Sequence, residues 1–161
     1  MDFSKLSLGD KIVGGTSIVL LIDLLFLPWH SATISYGVLG SSFSHTYTAG
    51  ATGSPNGFLG ILALLLTIAI VGTAVVRKLT TSKLPDLPIA WGLATFYGAI
   101  AVAALLLLKL ILKTQYLGYG SYLAIVLAGG LTYGAFLGKG ETDEGGASTG
   151  GTGDSGSATP F

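Results

Sequence analysis

The sequence predicts an all-α integral membrane protein, a four-transmembrane-helix bundle with a β-hairpin in its first outer loop. Three observations carry that expectation. Half of the 161 residues are hydrophobic and only 10% are charged, against about 25% in soluble domains. Mean hydropathy is +0.73. Four segments reach or approach the roughly 20 apolar residues that a bilayer crossing takes. They run over residues 12–29, 58–76, 87–112 and 119–137 and, with their connections, define a transmembrane domain over residues 1–139.

None of the four shows the polar stripe of a soluble amphipathic helix. The first is too long for a signal peptide, and no small-residue cleavage pattern follows Pro28-Trp29, so a retained anchor is expected. Pro85 and Pro88 sit where a third helix would begin, as a helix start permits. Orientation follows from the cations. With four spans, one side holds Lys5, Lys11, Arg77, Lys78, Lys83 and Lys139, and the other only Lys109 and Lys113. The positive-inside rule then places both termini in the cytoplasm and the protein in the cell membrane. Trp29, Trp91, Tyr116 and Tyr119 fall where interface anchors belong.

The outer loop from Ser31 to Gly57 contains no Asp, Glu, Lys or Arg. Its ATISYGV and SFSHTYT segments alternate polar with apolar side chains around Leu39-Gly40-Ser41-Ser42. That period of two predicts a short β-hairpin lying on the outer membrane surface. From Gly140 onward the chain is rich in Gly, Ser and Thr, with four acids and no base. Such a stretch cannot bury enough apolar area to offset its ordering, which predicts a disordered cytoplasmic tail over residues 140–161.

One carboxylate, Asp23, interrupts the first apolar run. It costs about 2.5 to 3.5 kcal/mol on the insertion scale, and each Leu, Ile, Val or Phe returns roughly 0.3 to 0.6. The eleven such residues between Ile12 and Leu27 therefore still carry the segment into the bilayer. The acid needs a partner, since unpaired charge in hydrocarbon is expensive. Asp23 lies six residues before Trp29, and Lys109 four before Lys113, at similar depths below the outer interface. The expectation is an intramembrane polar pair, Asp23 with Lys109, and Tyr122 is the next candidate donor. A structural role leads. A protonated Asp23 with Lys109 extending outward, and a proton or cation pathway, remain open beside it.

Helix 4 carries Gly130, Gly134 and Gly138, and helix 3 carries Ala90, Ala94 and Gly98, at four-residue spacing. Small residues so placed let helix backbones approach closely. Packing within the bundle is favoured over a homodimer interface. His30 and His45 lie outside without a carboxylate to complete a ligand set, so no metal site is expected. The absence of cysteine removes disulfides, thiolate metal sites and Cys nucleophiles. Zero net charge gives no field for nucleic acid, and no nucleophile–base set is visible. Neither catalysis nor a cofactor is expected.

The stretch IDLLFLPW, with LSLGDKIVGG before it and GFLGILALLL, LPDLPIAWGL and GYGSYLAIVLAGGLTYGAFL after it, resembles a group of small actinobacterial four-transmembrane-helix proteins with an I-D-x-x-FLPW first span. The likeness covers roughly residues 5–139, and Asp23, Pro28 and Trp29 are its pattern positions. It implies the four-span fold and brings no activity with it. The reading that follows is a structural or accessory membrane component without catalytic activity, with the bilayer, other membrane proteins or a second copy as partners and no small-molecule substrate. The runner-up is a small transporter or channel component using Asp23.

Overall fold

Four helices and one hairpin make up the computed structural model, which describes residues 6–38, 41–54, 56–79 and 90–139. In chain order they are α1 (Leu8–Phe26), β1 (Pro28–Val38), β2 (Ser41–Gly50), α2 (Gly57–Leu79), α3 (Trp91–Leu112) and α4 (Tyr119–Gly138). The acidic tail, Pro85, Pro88 and Lys83 lie outside the described residues.

Helix α1 starts four residues before the apolar run. Ser7 caps it: its hydroxyl accepts from the Asp10 amide at 3.1 Å, and the Asp10 carboxylate accepts from the Ser7 amide at 3.2 Å. This reciprocal capping box satisfies two donors that would otherwise be orphaned. The helix stops at Phe26 because Pro28 follows. A residue before proline is pushed out of the α region, and Leu27 is extended at φ −86°, ψ 145°. Trp29, expected at the outer end of the first span, is therefore a strand residue. It is also fully buried, rather than an anchor in the headgroups.

The helices close a square. Helix α1 packs on α4 and α2, and α3 packs on α2 and α4, which leaves α1 and α3 on the diagonal. Helices α1 and α4 run antiparallel, since the start of α1 at Gly9 meets Gly138 at the end of α4, and its end at Asp23 meets Gly120 at the start of α4. Leu20, Leu24, Val102, Leu106 and Leu131 fill the centre. Two buried hydroxyls are satisfied within their own helices: Ser17 donates to the Val13 carbonyl, and Thr67 to Ala63 at 2.7 Å.

Backbone contact explains the glycine spacing. A Cβ on Gly134 would lie 2.7 Å from Ile12 Cγ2 and 2.9 Å from the Val13 nitrogen, and one on Gly130 2.9 Å from Thr16 Cγ2. Both residues thus face α1 of the same chain. Gly98 faces Ile70 of α2 in ordinary contact at 3.5 Å, and Ala94 lines the same α2–α3 seam. Gly138 has open space where its own side chain would be and serves instead as the surface that Gly9 meets.

The outward surface is apolar along the bundle, with Ile18, Ile22, Ile61, Leu65, Leu108, Ile111 and Val126 exposed. Three helices are long and apolar enough to cross a membrane: Gly57–Val76, Trp91–Leu112 and Tyr119–Gly138.

The hairpin is present and longer than the alternating segments implied. Strands β1 and β2 pair antiparallel from Pro28↔Gly50 to Val38↔Ser41. The register places Ala32, Ile34 and Tyr36 opposite Tyr47, His45 and Phe43, on one face. Ser31, Thr33 and Ser35 sit opposite Thr48, Thr46 and Ser44 on the other, where Thr33 and Thr46 hydroxyls meet at 2.9 Å.

Candidate functional site

Asp23 and Lys109, the buried ionisable side chains among the described helix residues, come together at one end of the bundle, where the hairpin joins it. Asp23 occupies the last turn of α1 and is 1% exposed. Three residues later the chain leaves the helix, and the ladder then skips a residue: Pro28 pairs with Gly50, but His30 pairs with Ala49. Trp29 is the extra residue of this β-bulge. A bulge re-aims the side chain it carries, and here the indole turns back under the strand. Its Nε1–H donates to Asp23 Oδ2 at 3.1 Å. The other carboxylate oxygen, Oδ1, is buried and has no hydrogen-bond partner among the described residues.

Lys109 reaches the same spot from the last turn of α3 and is likewise 1% exposed. Its ammonium donates to the Asn56 carbonyl at 3.1 Å and the Gly53 carbonyl at 3.4 Å, which lie in the connection entering α2. It also stands 6.0 Å from the centroid of the Trp29 ring, within the range of cation–π attraction. The two residues of the sequence-derived pair thus reach the same indole, Asp23 by a hydrogen bond and Lys109 at 6.0 Å from the ring centroid, from helices α1 and α3 on the diagonal of the bundle. Tyr122, the alternative donor, is 61% exposed, and Trp29 takes its role.

The α3–α4 connection completes the junction. The Gly118 amide donates to the Trp29 carbonyl at 2.7 Å, and the Ser31 amide to the Tyr116 carbonyl at 2.8 Å. Gly118 abuts the Pro28 carbonyl so closely that no side chain would fit. Gly120 faces Asp23 Oδ1, from which an added Cβ would be 3.2 Å away. Ser121 donates to the Gly118 carbonyl at 2.7 Å. Tyr116 holds φ +61°, a left-handed conformation uncommon for a side chain of that bulk. Sequence reasoning did not anticipate the indole donor, the bulge or these glycines. The spacing of Asp23 to Trp29 across Pro28 was the available signal, because a proline exit folds the next residues back over the helix end.

His30, buried beside this junction, hydrogen-bonds the Gln115 backbone, and its Nε2 has no partner among the described residues. Its pKa is lowered from 6.5, first by burial and then by the nearby Lys109 charge. The Gln115 hydrogen bond opposes this, and Lys113 adds to it. His45 is exposed and meets Tyr47 edge-on at 4.6 Å. His30 pairs with Ala49 and His45 with Ile34, so the two imidazoles are four ladder steps apart, about 13 Å. They do not share a ligand position. Among the described residues no group of three His, Asp or Glu could hold a metal ion.

A cleft of about 370 Å³ opens between the hairpin base and the α3–α4 connection, lined by His30, Ala32, Tyr47, Lys113, Gln115 and Tyr116. A second, apolar groove of about 290 Å³ runs between α1 and α2 past Gly14, Gly15, Val71 and Val75. No family model, curated protein or solved structure matches this chain.

Proposed function

We propose that this chain is a four-span integral protein of the cell membrane, with both termini in the cytoplasm. Its role in this reading is structural or accessory, holding a rigid β-hairpin at the outer surface. Three helices meet the length and hydropathy of a crossing. The count of four rests on α1 lying antiparallel beside α4 from Gly9–Gly138 to Asp23–Gly120. Its 19 residues span about 28 Å, near the hydrocarbon thickness.

The observation that carries the reading is where the embedded polar groups point. Asp23 holds Trp29 of β1, and Lys109 holds the carbonyls of Gly53 and Asn56. Each ties an outer connection to the helices. The partners in this reading are the bilayer and other membrane proteins. The seating of Gly130 and Gly134 against α1 favours their use within the chain over a homodimer. The resemblance to small actinobacterial four-span proteins through Asp23, Pro28 and Trp29 bears on the span count in this reading and not on the role.

The buried Oδ1 of Asp23, without a hydrogen-bond partner among the described residues, favours a second reading, a transporter or channel component that loads a proton or cation there. One experiment separates the two. Purified chain in proteoliposomes under a proton or sodium gradient passes no flux above empty vesicles if the role is structural, and Asp23→Asn folds to normal yield. Flux that disappears in Asp23→Asn would establish the second reading instead.

A further inference from the structure

We propose that the hairpin and the α3–α4 connection form a docking surface for anionic phospholipid of the outer leaflet. This rests on the membrane reading above. Strand β1 begins at Pro28, two residues after α1 ends at Phe26, so no spacer lifts the hairpin from the level where the helix leaves the bilayer. Its aromatic face is uncovered, with Ile34 41%, Tyr36 56%, Phe43 67% and Tyr47 57% exposed. A lone two-stranded hairpin is marginal in water, and edge strands that face water are ordinarily guarded by charge. This one carries none. Its opposite face is hydroxyl-bearing, so the hairpin is amphipathic in the way that an interface between hydrocarbon and water demands.

Direction and charge identify the occupant. At its base the aromatic face looks across the cleft to Lys113 and Tyr116, on the connection that leaves the exposed apolar end of α3 at Ile111 and Leu112. A lipid standing there has its chains beside α3 and its headgroup in the cleft. Residues 31–57 and 110–122 carry a single charged group, Lys113, and no acid. Among the described residues lining the cleft, Lys113 is the one Lys, Arg, Asp or Glu, and a phosphate diester headgroup complements it. Tyr and Phe at headgroup depth supply the remaining contact area.

The chain has no cysteine, so single substitutions can be spin-labelled uniquely in it. Labels at Phe43→Cys, Ser44→Cys and Val126→Cys, in phosphatidylcholine vesicles with and without phosphatidylglycerol, test the surface by accessibility to oxygen and to a water-soluble nickel chelate. The expected result is oxygen access at Phe43 and Val126 and nickel access at Ser44. Titrating in phosphatidylglycerol should deepen the Phe43 label, and Lys113→Gln should weaken that response about fivefold. Equal nickel access at Phe43 and Ser44, with Val126 still in lipid, would overturn the docking surface and leave the membrane reading intact. Nickel access at Val126 would overturn the membrane reading itself. Dipolar broadening between Phe43 labels would assign the face to a second copy, and an unchanged Lys113→Gln response would remove the anionic headgroup.

Discussion

The indole of Trp29 donates to Asp23 Oδ2 across 3.1 Å, joining the first residues of the hairpin to the last turn of the helix before it. Both side chains are buried, so the bond is made where water cannot substitute for either partner. Removing one partner of such a pair leaves the other unsatisfied, which costs about 1–3 kcal/mol.

Trp29→Phe should therefore destabilise the protein by more than its lost volume accounts for. In an Asp23→Leu background the same change should cost about 1–2 kcal/mol less, because no carboxyl is left to orphan. Unfolding free energies of the two single variants and the double variant, measured in mild detergent, give the coupling. Additive effects would remove the clasp.

Lys109→Met should destabilise as well, by stranding the carbonyls of Gly53 and Asn56. Its coupling to Asp23 should be smaller than that of Trp29, below about 1 kcal/mol, since Trp29 hydrogen-bonds the acid and the lysine stands 6.0 Å from that ring's centroid. A Lys109–Asp23 coupling larger than the Trp29–Asp23 coupling would make the lysine the acid's principal partner. The same unfolding assay decides it.

Two glycines of α4 make a matched test of close packing. At Gly134 a methyl group would meet Ile12 and the Val13 backbone under 3.0 Å, whereas at Gly129 nothing lies within 4 Å. Gly134→Ala should cost about 1–3 kcal/mol by prising α1 from α4. Gly129→Ala should be neutral or stabilising by up to about 1 kcal/mol through helix propensity. Neither change should alter the oligomeric state on size exclusion. A shift toward monomer in Gly134→Ala alone would move that ladder to an intermolecular interface.

His30 gives the hairpin base a pH dependence of defined sign. Its folded pKa lies below the ordinary 6.5, so the unfolded chain binds more protons as pH falls through that value. The stabilisation is complete above about pH 6.5 and declines between there and the lower folded pKa. Protection factors of the backbone amides in residues 29–32, corrected for the intrinsic pH dependence of exchange, should fall on acidification over that window, and His30→Gln should flatten the response. A fall in protection that persists in His30→Gln would place the titrating group elsewhere.

Much of this architecture is legible in the residues alone. Long apolar runs give α2, α3 and α4 because a stretch with so few polar side chains meets its backbone hydrogen-bonding needs within itself, as a helix does. The alternation from Ala32 to Val38 and from Ser42 to Thr48 gives the hairpin because side chains alternate across a strand. Asp23 stands out because an acid in an apolar run requires a partner. The indole partner was not legible. Depth along each helix is a one-dimensional quantity, and it matched Asp23 with Lys109; the packing order around the square, which sets those helices on the diagonal, is not written in depth. Trp29 came into reach only through the proline exit and the bulge that follows, and Gly118 and Gly120 matter only because the α3–α4 connection lies against that bulge. Composition decided that the chain surrounds itself with apolar side chains, since that sum does not depend on who touches whom. Which groups meet at the junction of hairpin and bundle was left to tertiary packing, because contacts between residues far apart in the chain exist only once the helices have chosen their neighbours.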